Sequence, residues 1–201
     1  MRRRLLAAYA DHFRRTWPRR LCELVGAAGR GDAWSDGYGA DRRGLRSRAF
    51  EGLVRTAELT GVGLAYSTLE VLLAGGRYRA LTDRERAFAR PEFSDAELER
   101  AVVDEGARLV AGTLGIAYVA GFAVKAPRAI GPTLLCHELT HTRQFARWGW
   151  AYVAKCLAAQ WWGGGYGYTP QTRRGLNAEQ EAAAVEDRAR ARSGLPERHA
   201  R

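Results

Sequence analysis

Two histidines four residues apart lie inside a mainly apolar stretch of the sequence, in the segment His137–His141, which reads HELTH. Residues at positions i and i+4 of an α-helix project from the same face about one turn apart, so both imidazoles can reach one metal ion. The neighbours Leu135, Phe145 and Trp148 predict a helix that is buried on more than one side. Because a buried histidine needs a partner, the pattern predicts a metal site with His137 and His141 as ligands.

Glu138 directly follows the first histidine and therefore lies about 100° around the helix from it. From this position a carboxylate can reach a water molecule in the open coordination position of a zinc ion. Zinc lowers the pKa of such a water towards about 7, and a nearby carboxylate can then accept its proton. The motif predicts Zn²⁺ as the cofactor and Glu138 as the general base.

A catalytic zinc site needs a third protein ligand, and the acidic segment at residues 177–187 can supply it. On a helix, Glu179 and Glu186 share a face with two alanines between them, whose small side chains would allow close approach to the histidine helix. Glu179 is accordingly the predicted third ligand. Glu181, which points away from Glu179, and Glu186, two turns further on, remain alternatives, and Cys156 is a softer alternative donor.

Other polar residues near these segments suggest supporting roles. Gln144 lies three residues after His141, on the metal-facing side of the helix, where it can either form a hydrogen bond beside the ligands or cap a buried backbone group. Asp187 is placed to orient a ligand histidine through a hydrogen bond. Tyr166 or Tyr168, in the glycine-rich loop before the acidic segment, could present a phenol to a developing oxyanion.

The spacing of apolar residues and the positions of glycine and proline predict a helix-rich chain with a small sheet. Helices are predicted at 5–25, where Pro18 should kink or restart the helix, at 50–73, after Pro132, at 151–162 and at 177–192, and short helices after capping boxes at Thr82–Glu85 and Ser94–Glu97. Strands are predicted near 107–111 and 116–124, and a linker at 26–44. The predicted fold class is α+β, with a small β-sheet beside the histidine helix.

The net charge of +10 and a sequence pI near 10.1 raise the question of nucleic-acid binding. All but two of the 32 basic residues, Lys125 and Lys155, are arginines, and most of them are scattered along the chain. No recognition module accompanies the charge, so nucleic-acid binding is not predicted as the main function. A protease that acts on proteins bound to nucleic acid remains an alternative, since it would give the charge a purpose.

The three cysteines, Cys22, Cys136 and Cys156, are widely spaced and odd in number, which indicates neither a disulfide framework nor a CxxC metal site. Reduced thiols in a reducing compartment are the simplest interpretation. Charged residues at 11–15 interrupt the apolar part of any signal peptide, and no run of about 18 apolar residues could span a membrane. The sequence predicts a soluble cytoplasmic protein, or one exported without a cleavable signal peptide.

Three segments together resemble one known family. Residues 134–144, which read LLCHELTHTRQ, are similar to the HELTHxxQ helix of bacterial zinc-peptidase-like domains found near contractile injection systems and toxin modules. Residues 81–93 and 177–187 resemble the same family. Cys136 replaces a more usual aliphatic residue or alanine and Glu181 stands where glutamine is common, but neither departure removes a catalytic group.

The resemblance implies a gluzincin-like, zincin-like metallopeptidase domain over residues 77–201, with Glu179 as the third zinc ligand. Residues 1–76 lie outside the resemblance and are predicted to form an N-terminal helical, arginine-rich extension. The implied function is that of a zinc-dependent hydrolase in which Glu138 activates a zinc-bound water for attack on a peptide carbonyl of a protein or peptide substrate. The alternative is a non-catalytic metal-binding or docking module of a bacterial secretion or toxin assembly.

Overall fold

The computed structural model describes residues 1–27, 45–73, 77–107, 115–162, 166–167 and 176–199. Within these residues the chain forms eight helices and one four-stranded sheet, which confirms the predicted α+β class. The helices are α1 (Arg2–Ala27), α2 (Leu45–Leu59), α3 (Val62–Leu73), α4 (Asp83–Ala89), α5 (Asp95–Arg100), α6 (Pro132–Trp148), α7 (Ala151–Trp162) and α8 (Ala178–Arg192). The strands are β1 (Tyr78–Ala80), β2 (Val102–Glu105), β3 (Tyr118–Ala120) and β4 (Ala123–Ala126).

The sheet is mixed and has the strand order β1-β2-β4-β3. β1 runs antiparallel to β2, β2 runs parallel to β4, and β3 and β4 form an antiparallel hairpin at one edge. The register of the two central strands pairs Asp104 with Lys125, and both residues are buried. The centre of the sheet therefore contains an acid and a base as neighbours on adjacent strands.

The single strand predicted at 116–124 is wrong, because these residues include the turn of the β3–β4 hairpin. Gly121 adopts a φ of 65° in that turn, a conformation that favours glycine. A Cβ at Gly121 would also collide with the ring of Tyr9. The hairpin turn is thus fixed both by backbone conformation and by the close approach of α1.

The other strand prediction, near 107–111, is displaced from the observed strand β2, which ends at Glu105, while residues 108–111 lie outside the described residues. The sequence of β2 ends in Asp104 and Glu105, so half of the strand is acidic. A strand with this sequence does not show the apolar pattern from which strands are predicted. Its acids are tolerated because the sheet provides them with basic partners.

The helix predicted at 50–73 is wrong as a single element, since α2 and α3 are separated at Gly61, which has a φ of 82°. The Gly61 N–H donates to the carbonyl of Glu58 at 3.0 Å and closes the end of α2. α1 continues through the exposed Pro18 and does not restart there, because the carbonyl that loses its partner can be hydrated. Residues 28–44 of the predicted linker lie outside the described residues.

The main hydrophobic core lies between the sheet and the histidine helix α6. Its most completely buried side chains include Leu98, Val103, Val124, Leu135 and Leu139. Burial of each such side chain stabilises the fold by about 1.5–3 kcal/mol. α1 joins the same core through Leu5 and Tyr9, and the Tyr9 hydroxyl donates to the carbonyl of Ala120 at 2.6 Å. The proposed division of the chain after residue 76 stays a prediction.

Capping boxes fix where three helices begin. Thr82 and Ser94 cap α4 and α5, and each exchanges hydrogen bonds with the glutamate three residues later, as predicted. Asn177 caps α8 in the same way with Gln180. This cap places Glu179 in the first turn of α8, the turn that faces the histidine helix.

In the described ranges, no helix combines the length and the apolar character needed to cross a lipid bilayer.

Candidate metal centre

The histidine helix α6 has clear start and stop signals. It begins at Pro132, which suits the first helical position because no backbone donor is needed there. It ends at Trp148 and is capped by Gly149, whose φ of 61° favours glycine and whose N–H donates to the carbonyl of Phe145 at 2.8 Å. His137 and His141 lie in the middle turns of this helix, with ring centroids 5.0 Å apart.

Helix α8 packs directly against α6. Ala182 and Ala183 of α8 are completely buried, and their small side chains allow the close approach that the sequence predicted. The packing brings three side chains together, and His137, His141 and Glu179 are only 6%, 7% and 3% exposed. The structure therefore gathers the three predicted ligands at one point between two helices.

The three candidate ligand atoms converge closely enough for one ion. Oε2 of Glu179 lies 3.7 Å from Nε2 of His137 and 3.7 Å from Nε2 of His141. All three residues offer ligand atoms within 4.8 Å of one another. Ligand atoms around a tetrahedral zinc stand about 3.4 Å apart when the metal–ligand bonds are about 2.1 Å long. The buried group could therefore hold a metal ion after small side-chain adjustments.

The two carboxylate oxygens of Glu179 differ in their hydrogen bonding. Its Oε2 is buried and has no hydrogen-bond partner among the described residues. Its other oxygen, Oε1, accepts a hydrogen bond from Nε2 of Gln160 at 3.3 Å. A buried carboxylate oxygen without a partner costs free energy, and a bound cation would remove that cost. The donor set of two imidazoles and one carboxylate fits a divalent transition metal.

Gln144 fixes the orientation of His141. The amide nitrogen of Gln144 donates to the carbonyl of Ala178 at 2.8 Å and to Oε2 of Glu181 at 2.9 Å. Since both partners only accept, the amide oxygen must face Nδ1 of His141, which lies 2.8 Å away. Nδ1 therefore carries the proton and donates, which leaves the lone pair of Nε2 directed towards Glu179 and available to a metal.

His137 is flanked by a second carboxylate. Oε2 of Glu186 lies 3.4 Å from Nδ1 of His137 and 3.1 Å from Nε2 of His199. Glu186 thus stands beside a candidate ligand histidine. The orienting role predicted for Asp187 stays a prediction. Asp187 accepts hydrogen bonds from the backbone N–H groups of Arg198 and His199 at 2.7 and 3.0 Å, and so holds the chain after α8 against the helix.

Charge balance in the group depends on the histidines. Burial alone would lower the pKa of His137, but contacts with Glu179 and Glu186 outweigh it and raise the pKa to about 9. Burial would raise the pKa of Glu179, but the charges of His141 and His137 hold it below its ordinary value. Against burial, His137 and His199 lower the pKa of Glu186 to about 2. A divalent cation would supply the positive charge that imidazole protons otherwise provide.

Glu138 is buried beside the candidate ligands and lines the same cavity as they do. Burial is the main cause that raises the pKa of its carboxyl, and the charges of His141 and His137 oppose that rise. A carboxylate with a raised pKa holds a proton more readily near neutral pH, which suits a group that accepts and then releases one.

The alternative third ligands do not join the group among the described residues. Oε2 of Glu181 accepts a hydrogen bond from Gln144, as described above. Sγ of Cys156 lies 3.6 Å from Nδ1 of His141, which is the nitrogen that faces Gln144 and not the one that faces Glu179. Glu181 therefore contacts the site from the side away from the convergent atoms, whereas Cys156 lies against both His141 and Glu179.

The predicted oxyanion partner Tyr166 is near the site. Its ring centroid lies 5.8 Å from that of His137, and its hydroxyl accepts a hydrogen bond from Nε2 of Gln160 at 3.1 Å. Gln160 thereby bridges Tyr166 and Glu179. The other candidate, Tyr168, lies outside the described residues.

The candidate ligands and Glu138 face a cavity of about 600 Å³. Its remaining walls come from α2, α3, α7 and the edge strand β3. This volume lies within the roughly 300–1,000 Å³ that is usual for sites that bind small molecules or peptide side chains. A small molecule in this cavity could therefore contact the candidate ligands.

Sequence reasoning did not find Gln160, His199 or the walls formed by α2 and α3. Gln160 had a local signal, because it follows Cys156 by four residues on one face of α7. His199 and the wall residues are distant in sequence from the HELTH motif, so only the tertiary fold brings them to the site.

No protein-family model, curated protein or solved structure matches this chain. The resemblance of residues 134–144 to bacterial zinc-peptidase-like domains therefore stays a prediction. What the site can do has to be inferred from its own residues.

Proposed function

We propose that this protein is a zinc-dependent hydrolase that cleaves peptide bonds, as the resemblance of its HELTH segment implies. One observation carries the proposal: in the part of the chain that the structure describes, Oε2 of Glu179 is buried without a hydrogen-bond partner, 3.7 Å from Nε2 of each histidine, on the wall of a cavity. A cation bound by the three side chains would give this oxygen a partner. The neighbouring Glu138, with a pKa raised by burial, adds the base that hydrolysis requires.

His137, His141 and Glu179 would hold the zinc ion. Two nitrogens and one carboxylate oxygen are ligands that zinc commonly takes, and three protein ligands leave one position open to water or substrate. When bound, Zn²⁺ polarises a carbonyl oxygen and makes a water molecule more acidic. Gln144 holds His141 in the tautomer that binding needs, and Glu186 stands where it can do the same for His137.

Glu138 would act as the general base. Its carboxylate would accept a proton from the attacking water and deliver it to the nitrogen of the leaving amine. Tyr166 is the chain's candidate for stabilising the negative charge that develops on the carbonyl oxygen. Its hydroxyl can donate to that oxygen while it accepts from Gln160, because a phenol both donates and accepts.

The test compares zinc-loaded wild type with Glu138→Gln on an unfolded protein substrate, with the products identified by mass spectrometry. We expect the variant to bind the same amount of zinc and to lose about 10²–10⁴-fold in hydrolysis rate, the usual contribution of a general base. His141→Ala serves as the control that should lose both zinc and activity. Equal hydrolysis by wild type and Glu138→Gln would refute the mechanism.

A different result would favour the non-catalytic alternative. If the wild type binds zinc but cleaves no substrate, and if the metal has four protein ligands with no open position, the site is structural. A docking module in a secretion or toxin assembly would then be the better proposal. Glu138 argues against this alternative, since a closed metal site has no use for a buried carboxylate that lines the cavity.

A further inference from the structure

We infer that the cavity beside the metal centre accepts a peptide segment with large apolar side chains next to the cleaved bond, and that helices α2 and α3 select it. The cleavage itself rests on the proposed function, whereas the preference for apolar side chains rests on the residues that line the cavity. α2 and α3 belong to residues 1–76, which lie outside the resemblance to zinc-peptidase-like domains.

A row of aromatic rings leads from the metal centre to α3. The ring centroid of His141 is 6.2 Å from that of Tyr152, which is 6.3 Å from that of Trp150. The Trp150 ring is in turn 5.2 Å from the ring of Tyr66. All four residues line the cavity. Because aromatic rings offer large apolar surfaces, the row forms a continuous hydrophobic wall that begins at a candidate ligand.

Aliphatic side chains complete the wall around this row. They come from α2, α3 and the chain leading into β3, and include Val54, Ala57, Val62 and Ile116. Val62 and Ile116 are also 57% and 51% exposed, so the apolar surface continues from the cavity to the outside. Exposed apolar residues grouped around an opening indicate a binding surface rather than scattered surface residues.

The charged residues around the cavity disfavour a charged side chain of the substrate in its apolar part. No lysine or arginine lines the cavity in the part of the chain that the structure describes. The acids are Glu138 and Glu179 at the metal centre and Glu58, which forms an ion pair with Arg20 and accepts the backbone N–H of Trp150 at 3.1 Å. A charged substrate side chain in the apolar part would be desolvated without a counter-charge, so an apolar one is favoured.

The size of the cavity favours more than one side chain. An apolar cavity of about 150 Å³ is enough for a ring the size of benzene. The cavity beside the metal centre is about 600 Å³. Together with the exposed surface of Val62 and Ile116, this volume can accept more than one large side chain of a bound peptide.

The test uses two short capped peptides that differ only in their central pair, Phe-Leu or Asp-Asp, with a fluorophore and a quencher at the ends. We expect the zinc-loaded protein to cleave the Phe-Leu peptide with a kcat/KM about 100-fold above that for Asp-Asp. Val62→Lys should lower kcat/KM for Phe-Leu about tenfold and raise it for Asp-Asp. Val62→Glu should lower it for Phe-Leu without helping Asp-Asp.

Leu72→Lys is the matched control. Leu72 lies on the same helix and is 54% exposed, but it does not line the cavity. This variant should cleave both peptides as the wild type does. If Leu72→Lys changes the preference as much as Val62→Lys, the selectivity does not come from the cavity wall and the inference is overturned.

Binding separates this inference from the proposed reaction. Fluorescence anisotropy of labelled Phe-Leu and Asp-Asp peptides is measured with zinc-loaded Glu138→Gln. If no peptide is cleaved by the wild type but Phe-Leu binds and Val62→Lys weakens it, the proposed reaction fails and the apolar peptide site stands. If both peptides are cleaved equally, the reaction stands and the inference fails. Competition by neutral phosphatidylcholine vesicles, with no peptide preference, would show a membrane contact and would also overturn it.

Discussion

Two buried clusters of charged side chains in this molecule differ in how completely their charges are paired. In the sheet, Nζ of Lys125 lies 2.8 Å from Asp104 and 3.6 Å from Glu70, and also donates to the hydroxyl of Tyr78 at 2.5 Å. Between α6 and α8, Oε2 of Glu179 lies 3.7 Å from Nε2 of each candidate ligand histidine and has no hydrogen-bond partner within the described ranges.

This difference in pairing indicates a different role for each cluster. A buried charge is tolerated when ion pairs and hydrogen bonds replace its hydration, and the sheet cluster meets this condition with its own residues. It ties α3 to the two central strands, through Glu70 and Lys125. The cluster between α6 and α8 could hold a cation, which would give Glu179 a partner, and it faces a cavity. The first is therefore structural and the second is suited to binding.

Substitution of Lys125 in the sheet cluster should lower the free energy of unfolding more than any other change considered below. Lys125→Met leaves Asp104 and Glu70 buried without their shared partner, so we expect the free energy of unfolding to fall by about 3–5 kcal/mol. The measurement is urea denaturation followed by circular dichroism, with a chelator present so that metal binding does not contribute.

Glu179→Gln is the matched substitution in the other cluster under the same conditions. Its carboxylate has only longer contacts to lose, so we expect a change of about 1 kcal/mol or less without metal. If both variants lose the same free energy of unfolding, the charges of the two clusters are equally well paired, and the difference described above does not exist.

Zinc should stabilise one cluster independently of the other. At a zinc concentration about 100 times its Kd, the free energy of unfolding should rise by about 2.7 kcal/mol in the wild type. Lys125→Met, if folded, should show the same gain, because its site is separate. His141→Ala should show none. A gain that persists in His141→Ala would place the zinc elsewhere.

Glu186→Gln should weaken zinc binding without removing a ligand. Loss of the carboxylate beside Nδ1 of His137 should raise the Kd for zinc about 10–100-fold, the usual effect of a group that orients a ligand. The Kd is measured by competition with a chromophoric chelator. Glu92→Gln is the control, since Glu92 pairs with Arg188 and Arg192 of the same helix α8 and does not contact the histidines. Similar zinc affinities in both variants would remove Glu186 from the site.

The smallest effect is expected for Tyr78→Phe in the sheet cluster. The substitution removes the hydroxyl to which Lys125 donates but keeps the ion pair with Asp104. We expect the free energy of unfolding to fall by about 1 kcal/mol in urea, with zinc binding unchanged. A loss comparable to that of Lys125→Met would show that the ion pair is not the main stabilising contact.

Local patterns explain what the sequence could predict of the site. His137 and His141 are one helical turn apart, and Glu179 follows a capping residue at Asn177, so each half of the group lies within a single helix with its own signals. The alanines of α8 predicted that the two helices could approach closely. Only the packing of these two helices against each other was needed to bring the three residues together.

The remaining parts depend on contacts between distant segments. The acidic strand β2 is not apolar, and its Asp104 is acceptable only because the parallel register sets Lys125 beside it. His199 reaches Glu186 through a turn after α8, and the apolar wall of the cavity comes from α2 and α3. Composition and periodicity do not determine such pairings, so the fold class was predictable while the walls of the cavity were not.

We expect His137, His141 and Glu179 to bind one zinc ion together, and anomalous X-ray diffraction at the zinc edge would locate that ion directly. One anomalous peak should lie about 2.0–2.1 Å from Nε2 of each histidine and about 2.0–2.2 Å from a carboxylate oxygen of Glu179. A zinc-soaked crystal with no peak at this position, or with zinc bound by other residues, would contradict it.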